Sequence, residues 1–267
     1  LTDKTIAYSG TALSLGANTL TLSGGGTFSN TNASNPLDPP VLRLNHGEGL
    51  LSLAGILTIT GQVVATSSSP GKGIQVLSSA TIGDLRSESH ESNLVIAANQ
   101  TLDGELTITA SQDRAYIGEL NISGDGGYTG DIALAGGKLN AVDDLTLAGT
   151  VSISASSEII VPTGSTLVLN QTGGLPLGAS TLTLSGGGNF QSAGLDLNDP
   201  DSKLLLNSIT VDSVSTSVDN SLGLYVGAES TVSSLLVSNI LPVAIEVGRS
   251  LSGAITVTNN GTLKLIG

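Results

Sequence analysis

The octapeptide TLTLSGGG stands at 19–26 and again, unchanged, at 181–188. It marks a collinear repeat. At a shift of 162, Leu13–Phe28 superposes on Leu175–Phe190 with 13 of 16 identities, and Leu42, Leu44 and Asn45 then fall on Leu204, Leu206 and Asn207. At a shift of 150, Gly73, Val76, Thr81 and Leu85 meet Gly223, Val226, Thr231 and Leu235. At 149, Asn93–Thr109 meets Pro242–Thr258. Register kept across a length change is how an insertion into a loop on a regular stack reads. The change places the insertion between Asn45 and Gly73, and the stretch 46–72 is expected to project. Copy one runs over 1–162 and a truncated copy two over 163–267, expected as one continuous solenoid.

Within each copy, short segments such as TLTLS at 19, ELTIT at 105, DLTLAG at 144 and AITVT at 254 alternate Leu, Ile or Val with Thr, Ser or Asn. That period of two is the pattern of a half-buried strand. Gly, Asn, Asp and Ser clusters separate the segments, as turns require. No stretch carries a helical period, so an all-β chain with essentially no helix is expected.

Core chemistry chooses among β architectures. The chain has 2 Phe, 4 Tyr and no Trp, Met or Cys in 267 residues. A sandwich or barrel of this length would fill its sheet-to-sheet gap with large aromatics. Stacked coils need only small aliphatic ladders, so the reading is a single-stranded parallel β-helix, a β-solenoid. Coils of roughly 20–25 residues at about 4.8 Å spacing give about 11–13 coils and a rod of roughly 50–60 Å. Neither terminus reads as a cap, and GTLKLIG at 261–267 reads as one more strand. Open sheet edges invite pairing. The expected partners are therefore copies of itself stacked head to tail, or neighbouring repeats of a longer chain. Beginning at Leu1, the sequence is expected to be a processed protein or a piece of something longer.

The segment LNISGDGGYTGDIALAGGKLNA at 120–141 resembles the autotransporter-associated β-strand repeat of bacterial haemagglutinin-like adhesin passengers. Leu120, Ile122, Ser123, Gly124, Tyr128, Thr129, Gly130, Ile132, Leu134, Gly136, Gly137 and Leu139 fit its pattern. Phe28 and Phe190 stand near the place of the motif's tyrosine. The resemblance implies a right-handed, secreted bacterial β-helix at the cell surface: an adhesin, a matrix component or a surface filament.

Net charge is −13, with nine Lys and Arg. A nucleic-acid groove needs a basic stripe and stacking aromatics, and anionic lipid needs a basic surface; both classes are excluded. No apolar run is long enough for a membrane helix. The SGGG turn lacks the Gly-Lys-Ser/Thr ending of a phosphate loop and no helix follows it. The oxygen-rich GLDLNDPDSK, with Asp196, Asn198, Asp199 and Asp201, is the best candidate for Ca²⁺. Its aligned stretch SNPLDPP keeps only Asp38, which favours a solvated acidic loop, as for GDGG with Asp125 and Asp131. His46 and His90 lie apart in polar loops, and no Ser–His–Asp spacing occurs. Carbohydrate-active sites want paired carboxylates and aromatic platforms. Tyr8, Tyr116, Tyr128 and Tyr225 are scattered, and Arg114 beside Asp113 is the densest charged spot. Thr-x-Thr at 19/21, 58/60, 107/109, 181/183 and 256/258 raises ice binding as a further class. No catalytic, cofactor or metal residue is assigned. The expectation is an extracellular, non-enzymatic structural or adhesive fibre segment. The alternative is an adhesin binding a receptor or glycan through the 46–72 loop.

Overall fold

A computed structural model describes residues 4–30, 40–110, 118–219, 222–258 and 260–266. The chain divides into two compact units: Leu1–Ala133 with Gly137–Leu139, and Leu134–Gly136 with Asn140–Gly267. Each is a right-handed parallel β-solenoid, and no helix occurs among the described residues.

In the first unit every coil passes through three faces. The first face stacks Thr19–Ser23, Leu50–Ala54, Gly73–Val76, Ser92–Ile96 and Glu119–Ser123, all in parallel. The second stacks Lys4–Tyr8, Gly26–Asn30 and the opening halves of Leu57–Ala65, Ala80–Ser87 and Thr101–Thr109, then Gly127–Tyr128. The third stacks Leu13–Ser14, Leu42–Leu44 and the closing halves of the same three long strands. Leu20 lies beside Leu51, then Ile74, Leu94 and Ile122, so successive coils advance the numbering by 31, 23, 20 and 28.

The second unit repeats the plan. Its first face holds Ser157–Ile160, Thr181–Ser185, Lys203–Asn207, Gly223–Val226, Ile240–Ile245 and Thr262–Ile266. Here the numbering advances by 25, 22, 20, 19 and 22, from Ser157 through Leu182, Leu204, Leu224 and Val243 to Leu265.

Alternation in the sequence becomes inside and outside in the coil. Leu51, Leu53, Leu94, Ile96, Leu182, Leu184, Leu204 and Leu206 have no solvent exposure, and each such side chain contributes roughly 1.5–3 kcal/mol over leaving it in water. The interior is narrow, so branched aliphatic residues fill it, with Tyr128 and Phe190 the largest fully buried side chains.

The turn between second and third faces brings backbones very close. A Cβ on Gly130 would lie 1.8 Å from the Gly104 carbonyl oxygen, and one on Gly104, at φ +120°, would lie 1.7 Å from that of Ile82. Only glycine fits there.

The coils correct the alignment of the copies. Equivalent residues are offset by 162 at Leu20 and Leu182, since both octapeptides lie on the first face, but by 153 at Leu51 and Leu204. The equivalents of Leu42, Leu44 and Asn45 are therefore Leu195, Leu197 and Asn198, on the third face, and not Leu204, Leu206 and Asn207. Leu-x-Leu-Asn recurs on more than one face (LRLN, LDLN, LLLN), so the pattern cannot say which face it belongs to. The stretch 46–72 is not an outgrowth either. It contains the strands Leu50–Ala54 and Leu57–Ala65, whose Leu51, Leu53, Ile59 and Val63 are buried. The change of offset from 162 to 153 falls instead between Asn30 and Leu42, at 31–39, outside the described residues.

Candidate functional site

The two copies of the octapeptide differ in surroundings. Thr181–Ser185 lies between Ser157–Ile160 and Lys203–Asn207, and its Leu182 and Leu184 are fully buried. Thr19–Ser23 has Leu50–Ala54 on one side and no paired strand on the other among the described residues, and its Leu20 and Leu22 are half-buried. Lys4–Tyr8 is likewise paired on one side, to Gly26–Asn30. Between these open strands lies a cavity of about 260 Å³. Ile6, Leu22, Phe28 and Leu57 line it, together with Lys4, Thr21 and the three glycines.

In the last described coil of the second unit, ladder residues are exposed as well. Ile255, Val257 and Leu265 are 50%, 48% and 75% exposed. Their equivalents Leu106, Ile108 and Ile122 are buried in the first unit.

Among the described residues, those singled out from the sequence are not gathered into a chemical site. The Asp196 carboxylate accepts from the Ser215 hydroxyl at 3.4 Å, that of Asp199 accepts from the Asp201 N–H at 2.9 Å, and the Asn198 side-chain oxygen accepts from the Gly178 N–H at 2.8 Å. Among the described residues no three His, Cys, Asp or Glu side chains are placed to hold a metal ion. Asp38, Asp113, Arg114 and Tyr116 lie outside the described residues. His46 and His90 are exposed at the corner between third and first faces, with the turn 66–72 intervening; His46 Nδ1 accepts from the Glu48 N–H at 3.1 Å. Beside it, Lys72 holds the Glu48 carboxyl below the usual carboxylate range through a 2.7 Å ion pair. Asp125 and Asp131 flank Tyr128 and its turn.

Among the described residues, Tyr128 and Tyr225 stand apart, one inside and one outside the coil. Tyr128 is inside, its hydroxyl donating to the Gly104 carbonyl at 2.8 Å. Burial foremost, then the nearby Asp103, Asp131, Glu105 and Asp84, push its ionisation far above the ordinary tyrosine value. Tyr225 is outside, its hydroxyl donating to the Glu246 carboxylate and its ring 5.4 Å from the Lys203 ammonium. Phe28 does not share the column of Tyr128: it stacks on Ile59 and Ile82, whereas Tyr128 stacks on Leu102 and Ala80, two residues earlier on that face. The Thr-x-Thr pairs do not stack on one another. Thr58 lies between Thr27 and Thr81, but Thr19 and Thr21 face Leu50 and Ser52, and Thr107 faces Arg86.

Sequence reasoning missed two columns. Asn45 and Asn198 each accept from the N–H of a glycine one coil earlier, Gly16 at 3.1 Å and Gly178 at 2.8 Å. The matched LRLN and LDLN were the signal. In the first unit an acidic column runs up the corner between second and third faces. Gln62 donates to Asp84 at 2.7 Å, Glu105 stands beside Asp84 on the next strand, and Asp131 follows one coil on. Its members stand a whole coil apart in sequence, so no local motif shows it.

Comparison with known proteins adds one relation. Over 170 residues the chain is 25% identical to the adhesin BmaC autotransporter of Brucella suis biovar 1 (strain 1330), covering 57% of this chain and 5% of that protein. The chain thus spans about one-twentieth of that relative's length. No family model matches the chain, and no solved structure does. The β-solenoid is consistent with autotransporter and adhesin-like passengers.

Proposed function

We propose that this chain is an extracellular structural and adhesive β-solenoid, a stretch of a bacterial surface fibre or stalk. What carries the reading is the recurrence of aliphatic ladders on three parallel faces, in a sequence similar to part of a very long protein named an adhesin autotransporter. Opening one coil breaks hydrogen-bond ladders on three faces at once, which resists proteolysis and pulling. The net charge of −13 weakens lateral association until salt screens it. In this reading the chain does no catalysis: Asp84 and Glu105 stand side by side at the corner between second and third faces, and Tyr128 near them is buried and offers no platform.

A second reading, receptor or glycan binding through a projecting loop, draws on the word adhesin in that relative's name. With 46–72 folded into a coil, this reading turns to the sequence that copy one has in excess over the shorter copy two, around 31–39 and 111–117.

Negative-stain imaging of the purified chain, with cell-binding assays, tests both. Rods or filaments support the fibre. Loss of cell binding on deleting 31–39 would favour the receptor reading. Compact particles that cleave polysaccharide would overturn both.

A further inference from the structure

We propose that Asn99 and Asn170 are acceptor sites for N-linked sugar, carried on their side-chain amides. The inference rests on the extracellular reading and adds a covalent modification to it.

Asn-x-Ser/Thr, the pattern that N-linked transfer requires, stands at 32, 99, 121, 170 and 260. Asn32 lies outside the described residues, and Asn260 belongs to the last described coil. The other three stand in internal coils, and packing separates them. Asn121 is 8% exposed, and its amide donates to the Glu91 carboxylate and to the Asn93 side-chain oxygen, both at 3.0 Å. A sugar has no room there. Asn99 and Asn170 are exposed, and neither side-chain amide has a hydrogen-bond partner among the described residues.

The two open triplets are the same tripeptide, Asn-Gln-Thr, and the glutamine is anchored alike in both. The Gln100 side-chain oxygen accepts from the Ser79 N–H at 2.8 Å, and that of Gln171 accepts from the Val151 N–H at 2.6 Å, in each case one coil earlier. With the middle residue tied to the stack, the asparagine before it is held on the outside of a corner. Asn99 does so at φ +60°, between the first-face strand Ser92–Ile96 and the second-face strand Thr101–Thr109. Asn170 stands between the second-face strand Thr166–Leu169 and the third-face Leu175–Pro176. Space is open around these corners. Ala98 and Thr172 are exposed, and a Cβ on Gly173 would meet no atom within 4 Å. A chain rich in Asn, Ser and Thr produces such triplets by composition, but composition does not supply a shared anchor to the coil before.

The donor is an activated sugar phosphate, either a nucleotide sugar or a sugar on a polyprenyl pyrophosphate. In the transfer the asparagine amide nitrogen forms a bond to the anomeric carbon. The bond from that carbon to the phosphate oxygen breaks, and the phosphate leaves with the electron pair. The amide gives up one proton to a base of the transferase. The hydroxyl two residues on is what such a transferase reads, and both triplets carry it on threonine.

Peptide mass mapping of the protein isolated from the cells that make it tests this, with fragmentation that leaves the sugar on its side chain. Sugar is expected on Asn99 and Asn170, and Asn121 is expected bare. Increments of single sugar residues would point to the nucleotide-linked donor, and one preassembled block to the lipid-linked donor. Thr101→Ala should remove the sugar from Asn99 and Thr172→Ala that from Asn170, while Thr101→Ser and Thr172→Ser should keep it. Cooperative urea unfolding of each variant shows that it is folded.

Bare asparagine at both positions would overturn the proposal. So would sugar on Asn121, or sugar kept in the Thr→Ala variants. Bare asparagines on a protein that forms rods or filaments would sink this inference and leave the fibre reading intact. Compact particles that cleave polysaccharide would sink the fibre reading.

Discussion

The side-chain oxygen of Asn198 accepts a hydrogen bond from the backbone N–H of Gly178, one coil earlier, at 2.8 Å. Gly178 has φ +55°, and no atom lies within 4 Å of where its Cβ would be. The asparagine holds a left-handed corner that leaves open space beside the glycine. Asn198→Ala is expected to cost about 0.5–1.5 kcal/mol, at the low end because water reaches the freed N–H. Gly178→Ala should cost roughly 1–2 kcal/mol from conformation alone. Urea unfolding measures both.

Gly130 and Gly164 test close approach against conformation. A Cβ at 130 would meet the Gly104 carbonyl oxygen at 1.8 Å, whereas at 164, φ +90°, nothing lies within 4 Å. Gly130→Ala must push two coils apart and should cost about 3 kcal/mol or more, as overpacking does. Gly164→Ala should cost about 1–2 kcal/mol. Equal shifts in the thermal midpoint would refute the distinction.

The twin leucines of the octapeptide should respond unequally. Leu184→Ala leaves a cavity between two coils and is expected to cost about 2–5 kcal/mol. Leu22→Ala, on the half-open coil, should cost visibly less. Stability measurements on the two single variants decide it.

Tyr128 sets an alkaline limit. Its folded-state ionisation lies above that of the unfolded chain, mainly through burial. Its contribution is thus fully present below the unfolded tyrosine value of about 10, and is lost as pH rises beyond it, by up to about 1.4 kcal/mol per pH unit. Tyr128→Phe should flatten that fall above pH of about 10. It should also cost roughly 1–3 kcal/mol at neutral pH, because the Gly104 carbonyl loses its donor. Denaturation followed against pH checks the slope.

Alternation in segments such as TLTLS and ELTIT, with the scarcity of aromatics, determined strands, a thin aliphatic core and stacked coils. These are local properties, because a side chain's face follows from the parity of its position along a strand. Which face each segment occupied was decided only in three dimensions. LRLN at 42–45 matches LLLN at 204–207 as text, yet it stacks in the place of LDLN at 195–198. Parity says in or out but not which of three sheets, and that depends on how much chain each turn consumes. The same blindness made 46–72 look like a loop when it is a coil. It also hid the Asn45–Gly16 and Asn198–Gly178 corners and the column of Asp84, Glu105 and Asp131, whose members meet only when coils of unequal length are stacked. The octapeptide was identical in both places. Packing alone decided that Leu184 is sealed between two coils and Leu22 only half-buried, because burial is set by the neighbouring coil and not by the segment itself.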